Sequence, residues 1–281
     1  MNSSINISTI NIINKMISKS NRRVGIYVCN NEDNTILGIN ENEEFDSACC
    51  IMAFIVLEYM RLKSKRFITG EEQLIYDKSN YATGSGTVKF LTPGSTIKAD
   101  DLLSLMVTIS DHVAANILID YLGIENINKT IKSFGFTKTR LSKKFLIPKE
   151  KNIGYTTPYE YVLFYKKLFN YSFFNKNVSD EIISIFLKQK YKDILTGEIT
   201  RLKLPYYKDV ACKSGKADGR IYDSLTDSYI TDGGIIYTEK GIYYISMLAE
   251  KKAGTFGDLN DLKTDMEIIS SLIYKSLILE V

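Results

Sequence analysis

The chain has 281 residues, with 36 Lys plus Arg against 33 Asp plus Glu, for a formal net charge of +3. That near balance excludes the basic excess of a dedicated nucleic-acid binder. A composition of 44% hydrophobic and 25% charged residues excludes a disordered chain. The longest apolar run, Ala48 to Leu57, is too short to cross a bilayer, which needs roughly 20 such residues. The N-terminal stretch up to Gly25 is polar and alternating and has no signal-peptide pattern, so a cytoplasmic location is expected.

The first strand-like runs are Val24 to Asn30 and Thr35 to Asn40. They flank the turn Asn31-Glu32-Asp33-Asn34, a hairpin signal. A helix is expected from Ala48, capped by Asp46 or Ser47 and apolar all round, hence buried. The middle reads as helical: Ala99 to Ser110, Val113 to Leu122 before Gly123, and Ile124 to Phe134 before Gly135. Tyr159 to Phe169 follows Thr157-Pro158, and Ser179 is expected to cap Asp180 to Lys188. Strands return at Lys208 to Ser214, Ser228 to Tyr237 and Ile242 to Leu248, and a last helix spans Asn260 to Ile278. Strands at both ends around a helical middle predict an antiparallel sheet split by a helical insertion.

Four cysteines, Cys29, Cys49, Cys50 and Cys212, and the single histidine, His112, form neither a disulfide framework nor a zinc pattern. No G-x-G-x-x-G and no P-loop is present, so no cofactor is expected. Cys29, Cys50 and Cys212 read as packing. Cys212 precedes Lys213 on a strand, so the two side chains should face opposite sides of the sheet. The basic run Arg61 to Arg66 reads as a solvated helix end.

Three segments stand out together. They are Cys49 at the start of the buried helix, Ser110-Asp111-His112 between two helices, and Lys213-Ser214-Gly215 at a strand end. With these, LIYDKSNYATGSGTVKFLTPGST, DLLSLMVTISDHVAANILIDYLG, FGFTKTRL, Thr156-Thr157-Pro158, CKSGKADG and TDGGIIY make the chain resemble the class A β-lactamase and penicillin-binding serine hydrolase family. The resemblance implies an α/β, α+β sandwich fold: an antiparallel five-stranded sheet flanked by helices, an all-helical lobe, and an active site in the cleft between them. Residues 1–45 and 206–281 would form the sheet lobe, and 46–205 the helical lobe.

The family's signatures are altered here. Alignment on SACCIMAFIVLEYM puts Cys49 at the nucleophilic serine of S-x-x-K and Met52 at its lysine. S-D-N becomes Ser110-Asp111-His112, while K-T/S-G is intact as Lys213-Ser214-Gly215. The position of the acid that activates the deacylating water falls on Phe145, and the next acid, Glu150, comes several residues late.

Met52 cannot accept a proton, whereas a cysteine needs less help than a serine. A Cys–His pair can lower a thiol pKa to about 3.5–7.5 and give a resting thiolate. The expectation is therefore acyl transfer through a Cys49 thioester, with His112 as base and then acid. By the resemblance, Ser110 relays a proton and is polarised by Lys213. Lys213 and Ser214, with Gly215, hold a substrate carboxylate or carbonyl. The amides of Cys49 and Lys216 hold the oxyanion. Asp111 reads as a buried structural acid, and adjacency does not say whether it orients His112.

With no acid at Phe145, transfer to an amine or slow hydrolysis is expected over efficient β-lactam hydrolysis. The substrate would be a small-molecule or peptide acyl compound, free or on a carrier protein, in small-peptide or natural-product metabolism. Neither nucleic acid nor membrane is expected as a partner. The competing expectation is a catalytically silent protein that keeps the cleft to bind a ligand, since a cysteine in an apolar helix is usually inert.

Overall fold

The computed structural model describes residues 5–18, 22–32, 34–145, 152–217, 227–252 and 259–279. Asp33 of the hairpin turn, Glu150, and Asp218 and Gly219 of the CKSGKADG run lie outside them.

The chain opens with helix α1 (Ile7–Ser18) where a polar alternating stretch was expected. Thr9 and Ile13 supply its buried side, a four-residue step that the surrounding polar alternation obscures. Strands β1 (Arg22–Asn30) and β2 (Thr35–Ile39) form the expected hairpin, and β3 (Phe45–Asp46) follows. The buried helix does not begin at Ala48. Ala48–Cys50 is a 3₁₀ turn, and helix α2 runs Ile51–Ser64. Asp46 provides the expected cap, its Oδ1 accepting from Ala48 N at 2.8 Å, while Ser47 makes no side-chain cap.

After β4 (Gln73–Ile75) and β5 (Thr96–Lys98) come α3 (Ala99–Thr108), α4 (His112–Leu122) and α5 (Ile124–Ser133). Gly123 and Gly135 stop the last two with φ of 82° and 90°, a region open to glycine. The short β6 (Arg140–Leu141) and β7 (Gly154–Thr156) precede α6 (Pro158–Phe169), where Thr157 Oγ1 accepts from Glu160 N as the N-cap. α7 (Lys176–Leu187) starts a turn earlier than expected, because Asn175 rather than Ser179 caps it. α8 (Asp193–Arg201) was not anticipated. Its Leu195 and Ile199 lie in the apolar cluster that also holds Leu262, Met266 and Ile273 of α9 (Leu259–Ile278).

The remaining strands, β8 (Tyr207–Cys212), β9 (Gly215–Ala217), β10 (Ser228–Thr238) and β11 (Gly241–Lys251), join β1 and β2 in one antiparallel sheet ordered β2-β1-β11-β10-β8, with β9 also on β10. It has six strands among the described residues instead of the expected five, because the edge is interrupted. Gly234 stands opposite Cys212 and Thr231 opposite Gly215, so β8 and β9 share one register whose ladder is interrupted at Ser214, the Lys213 N–H still donating to Gly233 O at 3.1 Å. One apolar cluster unites α2, α4 and α6 with Ala211, Ile235 and Tyr244 of the sheet. The other lies on the opposite face beneath α1, α8 and α9. Cys212 belongs to that second cluster, opposite the site, as the strand alternation requires. Among the described residues no helix is long and apolar enough to cross a membrane.

Candidate active site

Cys49 sits in the 3₁₀ turn, 5% exposed, with its Sγ 3.2 Å from His112 Nε2. His112 opens α4, whose N-terminus is set by Asp111. Asp111 Oδ1 accepts from Val113 N and Ala114 N, and Oδ2 from Thr87 N and Val88 N at 2.6 and 2.9 Å. Four backbone N–H groups thus occupy its carboxylate, which makes Asp111 the knot between the 84–90 loop and α4. It does not orient the imidazole.

That loop instead closes over His112. The His112 N–H donates to Ser85 O at 3.1 Å. A Cβ on Gly84 would lie 1.9 Å from His112 Nδ1. Phe145 covers another side, ring centroids 4.9 Å apart, with its backbone held at both ends by the Asn116 amide. An apolar ring therefore packs against His112.

Ser110 has φ of +55°, a left-handed conformation that costs a non-glycine residue about 1 kcal/mol or more. Its Oγ accepts from Lys213 Nζ, which also donates to Ser214 O at 2.7 Å. Cys50 Sγ and Tyr161 Oη both donate to Lys213 O. Thr231 Oγ1 meets Cys50 Sγ, Ser47 O and Gly215 O. Gly215 must be glycine, since a Cβ would lie 2.4 Å from Cys49 N. Ser214 Oγ donates to Tyr191 O at 2.7 Å, so its proton is engaged inside the protein. The Lys216 N–H points at Cys49 Sγ. Cys49, Ser110, Ser214, Gly215 and Lys216 all line one cleft of about 210 Å³.

Burial raises the Cys49 thiol pKa. The Lys213 ammonium and the Lys216 amide pull it back, and Asp46 opposes them. Burial and then the charges of Lys213 and Lys89 bring His112 down to about 4. Lys213 itself is lowered by burial. Burial thus opposes charge on both partners, the thiolate of Cys49 and the imidazolium of His112. Among the described residues no carboxylate stabilises the imidazolium, whereas two lysines oppose it. Such a pair transfers its proton when bond formation lowers the sulfur's proton affinity.

Every residue singled out from sequence as catalytic or substrate-binding converges here. Cys29, Cys50 and Cys212 are buried and free, as expected. Sequence reasoning missed the second layer: Gly84, Asn116, Tyr161, Tyr191 and Thr231. Only the G-S-G of residues 84–86 carried a signal, two glycines in three residues where backbone must approach something closely. Among the described residues no cluster of His, Cys, Asp and Glu could hold a metal ion.

A broken edge strand meeting a buried helix start and an inter-helix Ser-Asp turn in one cleft defines the scaffold shared by β-lactamases and penicillin-binding proteins. The chain belongs to the beta-lactamase enzyme family, whose sequence profile matches residues 9–277. Among solved structures it is similar to a beta-lactamase from Sphaerobacter thermophilus DSM 20745 (20% identity, 98% of each chain covered, TM-score 0.83). It is also similar to PBP-A (19% identity, 96% of each chain, TM-score 0.81). A third neighbour is a class A beta-lactamase representative from Bacteroides cellulosilyticus DSM 14838 (20% identity, 96% of each chain, TM-score 0.79). At these identities the likeness establishes the fold. No curated protein matches the chain at a significant level.

Proposed function

We propose that the chain is a cysteine-dependent acyl-transfer enzyme on the β-lactamase scaffold, with Cys49, Met52 and His112 standing where the family has its serine, lysine and asparagine. The observation that carries this reading is the 3.2 Å contact between Cys49 Sγ, on the lining of the cleft, and His112 Nε2 behind it. His112 takes the thiol proton as sulfur attacks the acyl carbonyl, forming a C–S bond and an oxyanion held by the Cys49 and Lys216 N–H groups. Collapse of the oxyanion restores the carbonyl and breaks the bond to the leaving group, which receives a proton from His112 or through Ser110. An amine or water then attacks the thioester carbonyl as His112 takes its proton, and the C–S bond breaks to release Cys49, whose sulfur receives that proton back from His112. Among the described residues Phe145, not a carboxylate, stands beside His112, which supports transfer to an amine over hydrolysis. The acyl donor is a small molecule or a peptide, free or carrier-bound, and the reaction runs in the cytoplasm.

Intact-mass spectrometry with a panel of acyl thioesters tests this. The expected result is one acyl adduct on Cys49, absent in Cys49→Ala and at least about 10²-fold slower in His112→Ala. Wild-type turnover by Cys49→Ala would overturn it. A second reading, a silent binding protein, is favoured by one observation: burial holds the thiol protonated. It predicts tight ligand binding with no adduct from any donor.

A further inference from the structure

One end of the cleft plays no part in the chemistry above. Beyond Ser214 and Gly215 it is walled by Ile194, Ile230 and Leu259. Ile194 and Ile230 are 7% and 1% exposed and belong to the core on the α8–α9 face of the sheet, against which Leu259 also packs. The cleft therefore opens onto hydrophobic core.

The inner polar groups bordering this end are already committed, and Asn260, also on the lining, is exposed and neutral. Ser214 Oγ gives its proton to Tyr191 O, and Lys213 Nζ donates to Ser110 and Ser214. Lys263 Nζ lies 3.0 Å from Asp193 Oδ2 and 3.0 Å from Glu267 Oε1, so two carboxylates neutralise it in place. Lys216 is exposed, at the rim. A carboxylate entering here would lose its water and find the inner cations already bonded, an unfavourable transfer, whereas a methylene chain would gain burial.

We propose that this end is a subsite for a neutral aliphatic acyl chain, so that the enzyme selects alkyl acyl donors and rejects those whose chain ends in a carboxylate. This specifies the substrate of the site proposed above and replaces the expected carboxylate grip of Lys213 and Ser214. A cleft of 210 Å³ holds about seven waters at ~30 Å³ each, which is room for a short chain.

The test separates the subsite from the chemistry. Calorimetry compares hexanamide with adipic acid monoamide, equal chains ending in methyl or carboxylate, on Cys49→Ala. Hexanamide should bind at least about tenfold tighter. Leu259→Lys, at the partly exposed start of α9, should narrow or reverse that ratio. Ile230→Arg should do the same in protein whose circular dichroism is unchanged. Equal or tighter binding of the monoamide, or no binding of hexanamide, overturns the subsite. Wild-type labelling by hexanoyl and adipoyl thioesters then reads Cys49 itself. No labelling with the binding preference intact sinks acyl transfer and leaves the subsite. Labelling without a preference sinks the subsite and leaves acyl transfer.

Discussion

The two walls of the cleft are held by opposite chemistry. On the helical wall an acceptor gathers donors: the Asp111 carboxylate takes four backbone N–H groups and so ties the 84–90 loop to α4. On the sheet wall donors gather carbonyls: Cys50 and Tyr161 hold Lys213 O, Lys213 holds Ser214 O, and Ser214 holds Tyr191 O. The helical wall thereby fixes the base, and the sheet wall fixes the chain leading to Gly215, whose carbonyl Thr231 holds and whose peptide plane aims the Lys216 N–H at Cys49. Asp111 is the chief anchor of the first wall, joined by Lys89 Nζ on Gly84 O and the His112 N–H on Ser85 O, while several donors share the second wall more evenly. Damage should be concentrated on the helical side and distributed on the sheet side.

The strongest way to break this contrast is Asp111→Ala. It strands four N–H donors, three of them buried, at about 1–3 kcal/mol for each buried one, so a loss of at least about 3 kcal/mol is expected in urea unfolding. A loss below about 1 kcal/mol would show that water or relaxation replaces the carboxylate. Gly84→Ala should leave most of that stability but push His112 off Cys49, because the new Cβ would overlap the ring. The rate of acylation at Cys49 should fall about 10²-fold or more, and an unchanged rate would remove His112 from the reaction.

The pH response sharpens the comparison. His112 titrates near 4 when folded against ~6.5 unfolded, so its contribution is full above the unfolded value and is lost as pH falls toward 4. The loss is at most about 3 kcal/mol. Asp46, raised to about 6, and the raised Asp232 titrate in the stabilising direction over the same range. The measurement is therefore the difference between wild type and His112→Gln, which should shrink on acidification. Kinetically, iodoacetamide labelling of Cys49 should climb with pH beyond the ordinary thiol range of ~8.5. A plateau beginning near pH 5 would establish a thiolate–imidazolium pair instead. The smallest effect is expected on the sheet side, where Thr231→Val removes one hydroxyl from a shared network, for about 1 kcal/mol in thermal unfolding.

What the sequence revealed divides along the same lines. Local signals were legible: Thr157-Pro158 as a cap, Gly123 and Gly135 as stops, and the alternation that sends Cys212 and Lys213 to opposite faces. α1 was lost because its apolar spacing is buried in polar alternation, and α8 because its helical stripe is short. The six site residues other than Gly215 carry side chains whose motifs announce them. Their state did not follow from those motifs. The shifts at Cys49 and His112 depend on burial and on lysines distant in sequence, Lys213 for both and Lys89 for His112. Likewise the Ser214 hydroxyl could not be known to be engaged until Tyr191 was placed beside it.

The walls also differ in how far along the chain their bonds reach. Asp111 meets Thr87 across 24 positions, whereas Cys50 meets Lys213 across 163 and Lys213 meets Ser110 across 103. Closing short loops precedes closing long ones during folding. The helical wall should therefore form early, with its imidazole in place, and the nucleophile's pocket should close last. In a refolding experiment, protection of Cys49 from alkylation should lag the recovery of helical circular dichroism, making the thiol a reporter of the final docking of β8 and β9 onto β10.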